Sequence, residues 1–174
     1  MKLDFFEAVQ RRVSVREFLP KEIGEENLHK ILSAVMLAPS AGNLQAFRVV
    51  LVKDAKLKEK IAAASFEQDF ISQAPLVLVF LADRKRSQAK YGTRGASLYC
   101  IQDATIAAAY CQLAATALGL GSVWVGAFEE ETIALLVRAK PHEIPVAVLP
   151  IGYPACQQER PPRPNLAQKI AYVP

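Results

Sequence analysis

Histidine and cysteine are scarce in this chain. Its 174 residues include two histidines, His29 and His142, and three cysteines, Cys100, Cys111 and Cys156. Neither histidine has a second metal ligand at the spacing of a zinc site, so we expect no bound metal. The cysteines form no Cys-x-x-Cys pair, and an odd number of them is typical of buried thiols in a reducing compartment rather than of a disulfide framework.

Several catalytic patterns are also missing. The two histidines and scattered acids do not assemble a serine-histidine-acid set, a cysteine-histidine pair or two facing carboxylates. The glycines form neither a Gly-x-Gly-x-x-Gly fingerprint nor a phosphate-binding P-loop. If the protein is an enzyme, we therefore expect a bound organic cofactor to carry the chemistry.

Long apolar runs are absent as well. The longest, such as "PLVLVFLA", have the length of a strand and fall well short of the roughly 20 residues that cross a bilayer. The N-terminus "MKLDFFEAVQ" carries acids and no apolar signal core. These patterns predict a cytoplasmic protein without a membrane partner.

The overall composition indicates a globular protein. Hydrophobic residues make up 52% and charged residues 22% of the chain, which predicts one domain over residues 1–174. The net charge of +4 is small and the basic residues do not form a stripe, so we expect no nucleic-acid partner. A surplus of apolar residues in a small chain favours a subunit interface.

Hydrophobic periodicity divides the chain into alternating helices and strands. Such alternation predicts a layered domain with helices on both faces of a sheet. The longest predicted helix is apolar around most of its circumference, with Asp103 as its only charge, so we expect a second subunit to help enclose it. Prolines in the remaining tail predict an extended arm. The predicted helices cover about 3–12, 25–37, 57–66, 95–118 and 129–139, the strands 46–54, 75–83, 122–128 and 145–154, and the tail 155–174.

The stretch "RRVSVREF", residues 11–18, is the first candidate site. If it is extended, Arg12, Ser14 and Arg16 point to the same side. Two guanidinium groups beside a hydroxyl suit a phosphate dianion, because arginine presents paired planar donors to its oxygens. A solvated basic turn would have the same composition, so this stretch alone leaves both readings open.

The stretch "APSAGNLQAF", residues 38–47, is the second candidate. An ordinary turn explains Pro39 and Ser40, whereas Gln45 is less expected so close to a buried strand. Together with Asn43, its amide offers the donors and acceptors that a flat heteroaromatic ring needs.

The third candidate is "GLGSVWVGAF", residues 119–128. Gly126 and Ala127 end a predicted strand, which is where ligands lie in α/β folds, and glycine lets the backbone approach a ring closely. An ordinary strand end explains the pair equally well.

Taken together, these stretches resemble the nitroreductase family of FMN-dependent oxidoreductases. "RRVSVREF" is similar to its Arg-x-Ser-x-Arg/Lys signature and "APSAGNLQAF" to its Pro-Ser-x-x-Asn-x-Gln block. "APLVLVF" resembles its second strand, "YCIQDATIAAAYCQLAATALGLGSVWVGAF" its long dimer helix and Trp-x-Gly-Ala-Phe turn, and "PVAVLPIGYP" its closing strand. One block is weak, but five in this order are specific.

The resemblance implies an α+β fold with three α/β/α layers, a mixed sheet flanked by helices and an intertwined homodimer. It implies one tightly bound FMN at each of two subunit interfaces, with NADH or NADPH as co-substrate. The expected activity is the reduction of nitroaromatic, quinone or similar small-molecule acceptors by ping-pong hydride transfer.

The resemblance also implies which residues contact FMN. No side chain beyond the flavin is expected to be catalytic, although Arg16 would stabilise the reduced flavin electrostatically. Gln68 is expected to face the flavin, with Glu67 as the alternative, and Arg163 to close on the phosphate, with Arg160 as the alternative. The expected cofactor-binding set is Arg12, Val13, Ser14 and Arg16 of one subunit, Pro39, Ser40, Asn43 and Gln45 of the other, and Gln68, Gly126, Ala127 and Arg163.

Two other functions would use the same residues differently. A non-catalytic flavin-binding protein for storage or sensing would share every FMN contact. A protein-interaction module would use "RPPRP" as a polyproline II ligand. Within the enzyme reading, the physiological acceptor, the choice of NADH or NADPH, and the choice between reduction and a divergent flavin chemistry stay open.

Overall fold

The computed structural model describes residues 4–173. Short helical turns at Ala41–Asn43 and Leu166–Gln168 and a π-helical segment at Gly95–Tyr99 supplement the regular elements. Within the described residues, no helix is both long and apolar enough to cross a membrane. The helices are α1 Phe5–Arg11, α2 Glu25–Met36, α3 Ala55–Ala64, α4 Phe70–Gln73, α5 Arg84–Arg94, α6 Cys100–Ala117 and α7 Glu130–Leu136, and the strands are β1 Phe47–Val52, β2 Leu76–Asp83, β3 Gly121–Ser122 and β4 Glu143–Gly152.

The four strands form one sheet in the order β1-β2-β4-β3. Every neighbouring pair is antiparallel. Within residues 4–173, the parallel pairing is an isolated bridge between Ser14 and Ser122, which adds the extended segment after α1 to the outer edge of β3. The sheet of β1–β4 is therefore antiparallel rather than mixed.

Helices cover both faces of the sheet, so the expected three-layer α+β fold is confirmed. Side chains alternate along β2, as the pleat of a strand requires. Leu76, Leu78 and Phe80 pack with α2 and α6 on one face, whereas Val77, Val79 and Leu81 pack with α3 and α7 on the other. The nearly continuous apolar sequence of β2 correctly predicted burial on both faces.

The predicted strand over residues 122–128 is wrong in its length. Gly121–Gly152 and Ser122–Ile151 pair within the sheet, and Val125 pairs with Val148 in the same register. That register sets Val123 opposite Pro150, which has no N–H to donate to the ladder. The ladder is therefore interrupted there, and the chain continues as a loop after Val125.

The sequence analysis did not predict α4 and α5, and it predicted a regular α-helix over 95–118 where the structure begins with a π-helical segment. α5 has the sequence RKRSQAKYGTR and buries only Ser87, so it lacks the apolar periodicity that reveals a helix. α4 is only four residues long. The predicted helix over 95–118 begins with the π-helical segment and becomes regular at Cys100.

Candidate functional site

The segment after α1 is extended, as predicted. Arg12 ends the helix with φ −61° and ψ 113°. The Val15 N–H then donates to the Ser122 carbonyl at 3.1 Å, and Leu19 N–H donates to Tyr153 at 2.8 Å. Val13 and Val15 pack against the core, so alternation turns Arg12, Ser14 and Arg16 to the opposite side of the segment.

Three arginines lie close together at the start of this segment. Burial lowers the pKa of the Arg12 guanidinium, and the nearby charges of Arg160 and Arg163 lower it further. Arg160 also donates to the Val9 carbonyl at 2.8 Å, which ties the tail to α1. Among residues 4–173, no carboxylate lies within 4.0 Å of these three guanidinium groups. Their repulsion would be relieved by a bound anion, and a phosphate suits their donors.

Gln68 connects the chain just after α3 to the loop after Val125. Its Nε2 donates to the Ala127 carbonyl at 3.2 Å and to the Ser65 carbonyl at 2.7 Å. Glu67 is exposed and makes neither bond. Phe70 follows Gln68 by two residues, and the Arg16 guanidinium carbon lies 5.9 Å from the centre of the Phe70 ring.

We call these residues together the arginine corner. Gly126 and Ala127 are exposed in it, and a Cβ on Gly126 would lie 3.1 Å from the indole nitrogen of Trp124. The arginine corner comprises Arg12, Val13, Ser14, Arg16, Gln68, Gly126, Ala127, Arg160 and Arg163.

The second predicted stretch folds into a tight loop, residues 39–45, which we call the glutamine corner. The Gln45 backbone N–H donates to the Ser40 hydroxyl at 2.9 Å. The Gln45 side-chain Nε2 donates to the same hydroxyl at 3.1 Å and to the Asn43 side-chain Oδ1 at 2.5 Å. Asn43 and Gln45 both have positive φ, 57° and 44°. Pro39 and Asn43 are exposed, so part of the loop's polar edge is available to a ligand.

Asp103 fixes this loop, and the sequence analysis missed that role. The side chain is only 1% exposed, and its two carboxylate oxygens accept the N–H groups of Ala41 at 2.8 Å and Ala46 at 3.3 Å. The available signal was a single acid in an otherwise apolar helix, since such a buried charge needs partners.

The two corners lie at opposite corners of the sheet. The glutamine corner precedes Phe47 on the edge strand β1, whereas Ser14 pairs outside β3 on the other edge. Four strand spacings separate these edges, a distance of about 19 Å. Phe47 also pairs with Ala82, at the opposite end of β2 from Leu76, and this adds about 20 Å along the strands. Ser14 and the glutamine corner therefore lie far apart within one chain.

Comparisons with known proteins identify the family. A sequence profile described as "Nitroreductase family" matches residues 9–68 and 65–153. The chain is 34% identical to a Bacillus subtilis protein named FMN reductase (NAD(P)H), over 164 residues that cover 86% of this chain and 66% of that protein. It is 30% identical to a Thermus thermophilus protein named NADH dehydrogenase, over 180 aligned positions that cover 88% of each.

A solved structure has the same fold. The structure titled B. megaterium NfrA2 superimposes with a TM-score of 0.90 at 26% identity, covering 97% of this chain and 75% of that one. The match in sequence and fold extends across both corners of the sheet. This chain belongs to the nitroreductase family.

Proposed function

We propose that this protein is an FMN-dependent NAD(P)H oxidoreductase that holds each FMN between two copies of the chain. The observation that carries the proposal is the separation of the arginine and glutamine corners. Each corner has half of the chemistry that a flavin nucleotide needs, and a second copy can bring an arginine corner and a glutamine corner together. The relatives named FMN reductase and NADH dehydrogenase support the reaction class.

The residues of the arginine corner fit the phosphate end of FMN. Arg12, Arg160 and Arg163 concentrate positive charge, with no carboxylate of residues 4–173 within 4.0 Å of them. By strand alternation Ser14 lies on the same side of the segment as Arg12. We assign both tail arginines to the phosphate. Val13 would contribute its backbone, because its side chain packs against the core.

The flavin ring would lie between the two chains. On one side it would meet Arg16, the Gln68 amide and the exposed backbone of Gly126 and Ala127. On the other side it would meet the second chain's glutamine corner, where Pro39, Ser40, Asn43 and Gln45 present ring contacts and amide groups.

Bound FMN would supply the hydride-transfer chemistry between NADH or NADPH and the second substrate, in a ping-pong sequence. The chain contributes position and charge. Arg16 is exposed and directed to this patch, so its guanidinium would stabilise negative charge on the ring. Nitroaromatics, quinones and similar small acceptors are the proposed substrates.

An exposed apolar face supports the second copy. Phe6 is 75% exposed, Leu37 79% and Met36 60%, although all three are large hydrophobic side chains. Phe6 belongs to α1 and Met36 to α2, which Leu37 follows. The same two helices and α6 border a groove of about 510 Å³, which is lined by Phe5, Ala8, Ala34, Tyr110, Leu113, Ala114 and Ala117 together with Asp4. Burial of such a face against an identical one would remove this apolar surface from water.

Subunit complementation tests the proposal directly. We would prepare Arg12→Ala and Gln45→Ala chains, each with one damaged corner, and mix them under conditions that exchange subunits. In a mixed dimer one site receives both defects and the other receives neither. We expect each variant alone to lose flavin absorbance and NAD(P)H oxidation, and the mixture to recover up to half of the sites present in mixed dimers.

Two results would contradict the proposal. Recovery would be absent if both corners of one chain served the same flavin or if the chain acted as a monomer. Flavin binding without any oxidation of NADH or NADPH would instead favour the storage or sensing function. We propose a cytoplasmic location for the reaction, which the three free cysteines support.

A further inference from the structure

Helix α5 has a strong positive charge that the proposed flavin site does not use. It carries five cations, Arg84, Lys85, Arg86, Lys90 and Arg94, and no acid. All five are exposed, and among the described residues none lies within 4.0 Å of a carboxylate. Such a concentration of one sign attracts anions to the adjoining surface.

The C-terminal half of α5 lies directly on the glutamine corner. Lys90 Nζ is 3.5 Å from the Gly42 carbonyl oxygen. The Tyr91 hydroxyl and the Lys90 ammonium occupy the space that a Cβ on Gly42 would need. Tyr99, just after α5, lines a cavity of about 570 Å³ together with Pro39 and Ser40. The helix therefore borders the place where the flavin ring is proposed to lie.

Two aromatic rings stand beside these cations. Tyr91 and Tyr99 pack edge to face with ring centres 5.2 Å apart. Lys90 Nζ lies 5.4 Å from the Tyr91 ring, and the Arg94 guanidinium lies 5.5 Å from the Tyr99 ring while donating to its hydroxyl at 3.1 Å. Aromatic faces and fixed cations together suit a ligand that carries both a flat ring and a phosphate.

The N-terminal half of α5 faces elsewhere. Arg84 and Lys85 line a separate cavity of about 400 Å³ with Gln88 and His142. Arg84 and Lys85 thus lie at a different cavity from Lys90 and Arg94. Within residues 4–173, Lys90 and Arg94 are the cations of α5 that hydrogen-bond to the glutamine corner or to its neighbour Tyr99. This division gives a matched control within the same helix.

We propose that Lys90, Tyr91, Arg94 and Tyr99 form a subsite for a phosphomonoester carried by a ring-bearing substrate that enters over the glutamine corner. This inference rests on the proposed flavin site. Two substrates of the proposed reaction differ from a matching analogue by one phosphomonoester. NADPH carries a 2′-phosphate, and free FMN, as an acceptor, carries a 5′-phosphate. NADH and riboflavin are the respective analogues without it.

Kinetics with these two pairs test the subsite and identify its ligand. The variant Lys90→Gln/Arg94→Gln is compared with the control Arg84→Gln/Lys85→Gln, because each loses one lysine and one arginine from α5. We expect the first variant to lose about tenfold in kcat/KM for NADPH or for FMN, and less than about twofold for the matching analogue. The control is expected to change by less than about twofold throughout.

A binding measurement tests the subsite independently of turnover. Adenosine 2′,5′-bisphosphate and adenosine 5′-monophosphate are titrated into the purified protein by calorimetry. If NADPH is the ligand, the bisphosphate binds more tightly, and Lys90→Gln/Arg94→Gln removes this advantage. If free FMN is the ligand, the bisphosphate binds no more tightly than the monophosphate. Instead, the ratio of kcat/KM for FMN to kcat/KM for riboflavin falls in Lys90→Gln/Arg94→Gln.

The outcomes separate this inference from the proposed function. Equal losses in the two α5 variants, or a wild-type protein that does not distinguish either phosphorylated substrate from its analogue, would overturn the subsite. Failure of the flavin proposal looks different, since no flavin is retained and no nicotinamide nucleotide is oxidised. If the flavin proposal fails in this way, equal binding of adenosine 2′,5′-bisphosphate and adenosine 5′-monophosphate overturns the subsite as well.

Discussion

The Asp103 carboxylate accepts the backbone N–H of Ala41 at 2.8 Å, across 62 positions of the sequence. Its other oxygen accepts the N–H of Ala46 at 3.3 Å. One buried side chain of α6 therefore binds the backbone on either side of residues 42–45 of the glutamine corner. The conformation of that loop depends on the helix as much as on its own turn residues.

Replacement of Asp103 by asparagine should loosen the glutamine corner. The amide keeps the size of the side chain, but its NH₂ group would face one of the two backbone donors. We expect the free energy of unfolding to fall by about 1–3 kcal/mol and the FMN dissociation constant to rise. Chemical denaturation and flavin titration measure the two effects, with the exposed change Glu131→Gln on α7 as control. Unchanged flavin affinity would show that the loop does not contribute to the site.

Leu37→Asp should prevent association of two chains. Leu37 is 79% exposed at the end of α2, one of the helices that border the apolar groove, and a charge there would oppose burial. Light scattering should report a monomer, and flavin absorbance should be lost with the dimer. Leu135→Asp is a matched control, because Leu135 is also 79% exposed but lies on α7, at the other face of the sheet. A dimeric Leu37→Asp protein would refute this assignment of the interface.

Gly121→Ala should displace the arginine corner. A Cβ at Gly121 would come within 2.6 Å of Val15, whose neighbours Ser14 and Arg16 belong to the corner. We expect a loss of about 1–3 kcal/mol in stability together with weaker FMN binding. Gly24→Ala is the control, since a Cβ there meets nothing within 4 Å. If flavin affinity survives in Gly121→Ala, the segment tolerates the shift.

Glu143 should make part of the stability depend on pH. Its side chain is 2% exposed, and it accepts from Arg48 at 2.7 and 2.9 Å and from the Lys140 N–H at 2.8 Å. Burial acts to raise the pKa of Glu143, but these bonds outweigh it and hold the pKa below its ordinary value. The stabilisation is therefore present above the ordinary glutamate pKa and lost as pH falls through the lowered one.

Glu143→Gln tests this dependence. At neutral pH we expect the variant to be about 1–2 kcal/mol less stable, because Arg48 remains partly exposed and screened. The difference from the unaltered protein should shrink as pH falls below the ordinary glutamate pKa. Thermal unfolding across a pH series measures it, and a difference that stays constant in acid would contradict the assignment.

Local patterns were sufficient for much of the fold. The apolar run of β2 predicted a strand, and the local sequence of residues 3–12 predicted α1, which the structure shows to begin with a capping box of Asp4 and Glu7. Both signals act within a few residues. The interruption opposite Pro150 could not be read from residues 122–128, since it depends on the register with a distant strand. α5 was missed because a helix with one small buried residue has no hydrophobic face.

The candidate site divides in the same way. The extended segment with Arg12, Ser14 and Arg16 was predictable from alternation and from the family resemblance. The contact between Gln68 and Ala127 and the anchoring of the loop by Asp103 were not, because both join residues that are far apart in sequence.

The composition of α5 has a consequence for how this scaffold can change. Because Ser87 is its buried side chain, substitutions along the helix disturb few packing contacts and have small effects on folding. Mutational drift can therefore alter the surface beside the glutamine corner while the interior stays constant. Laboratory evolution of a new acceptor range should begin on this helix, where a large library will retain most of its folded members.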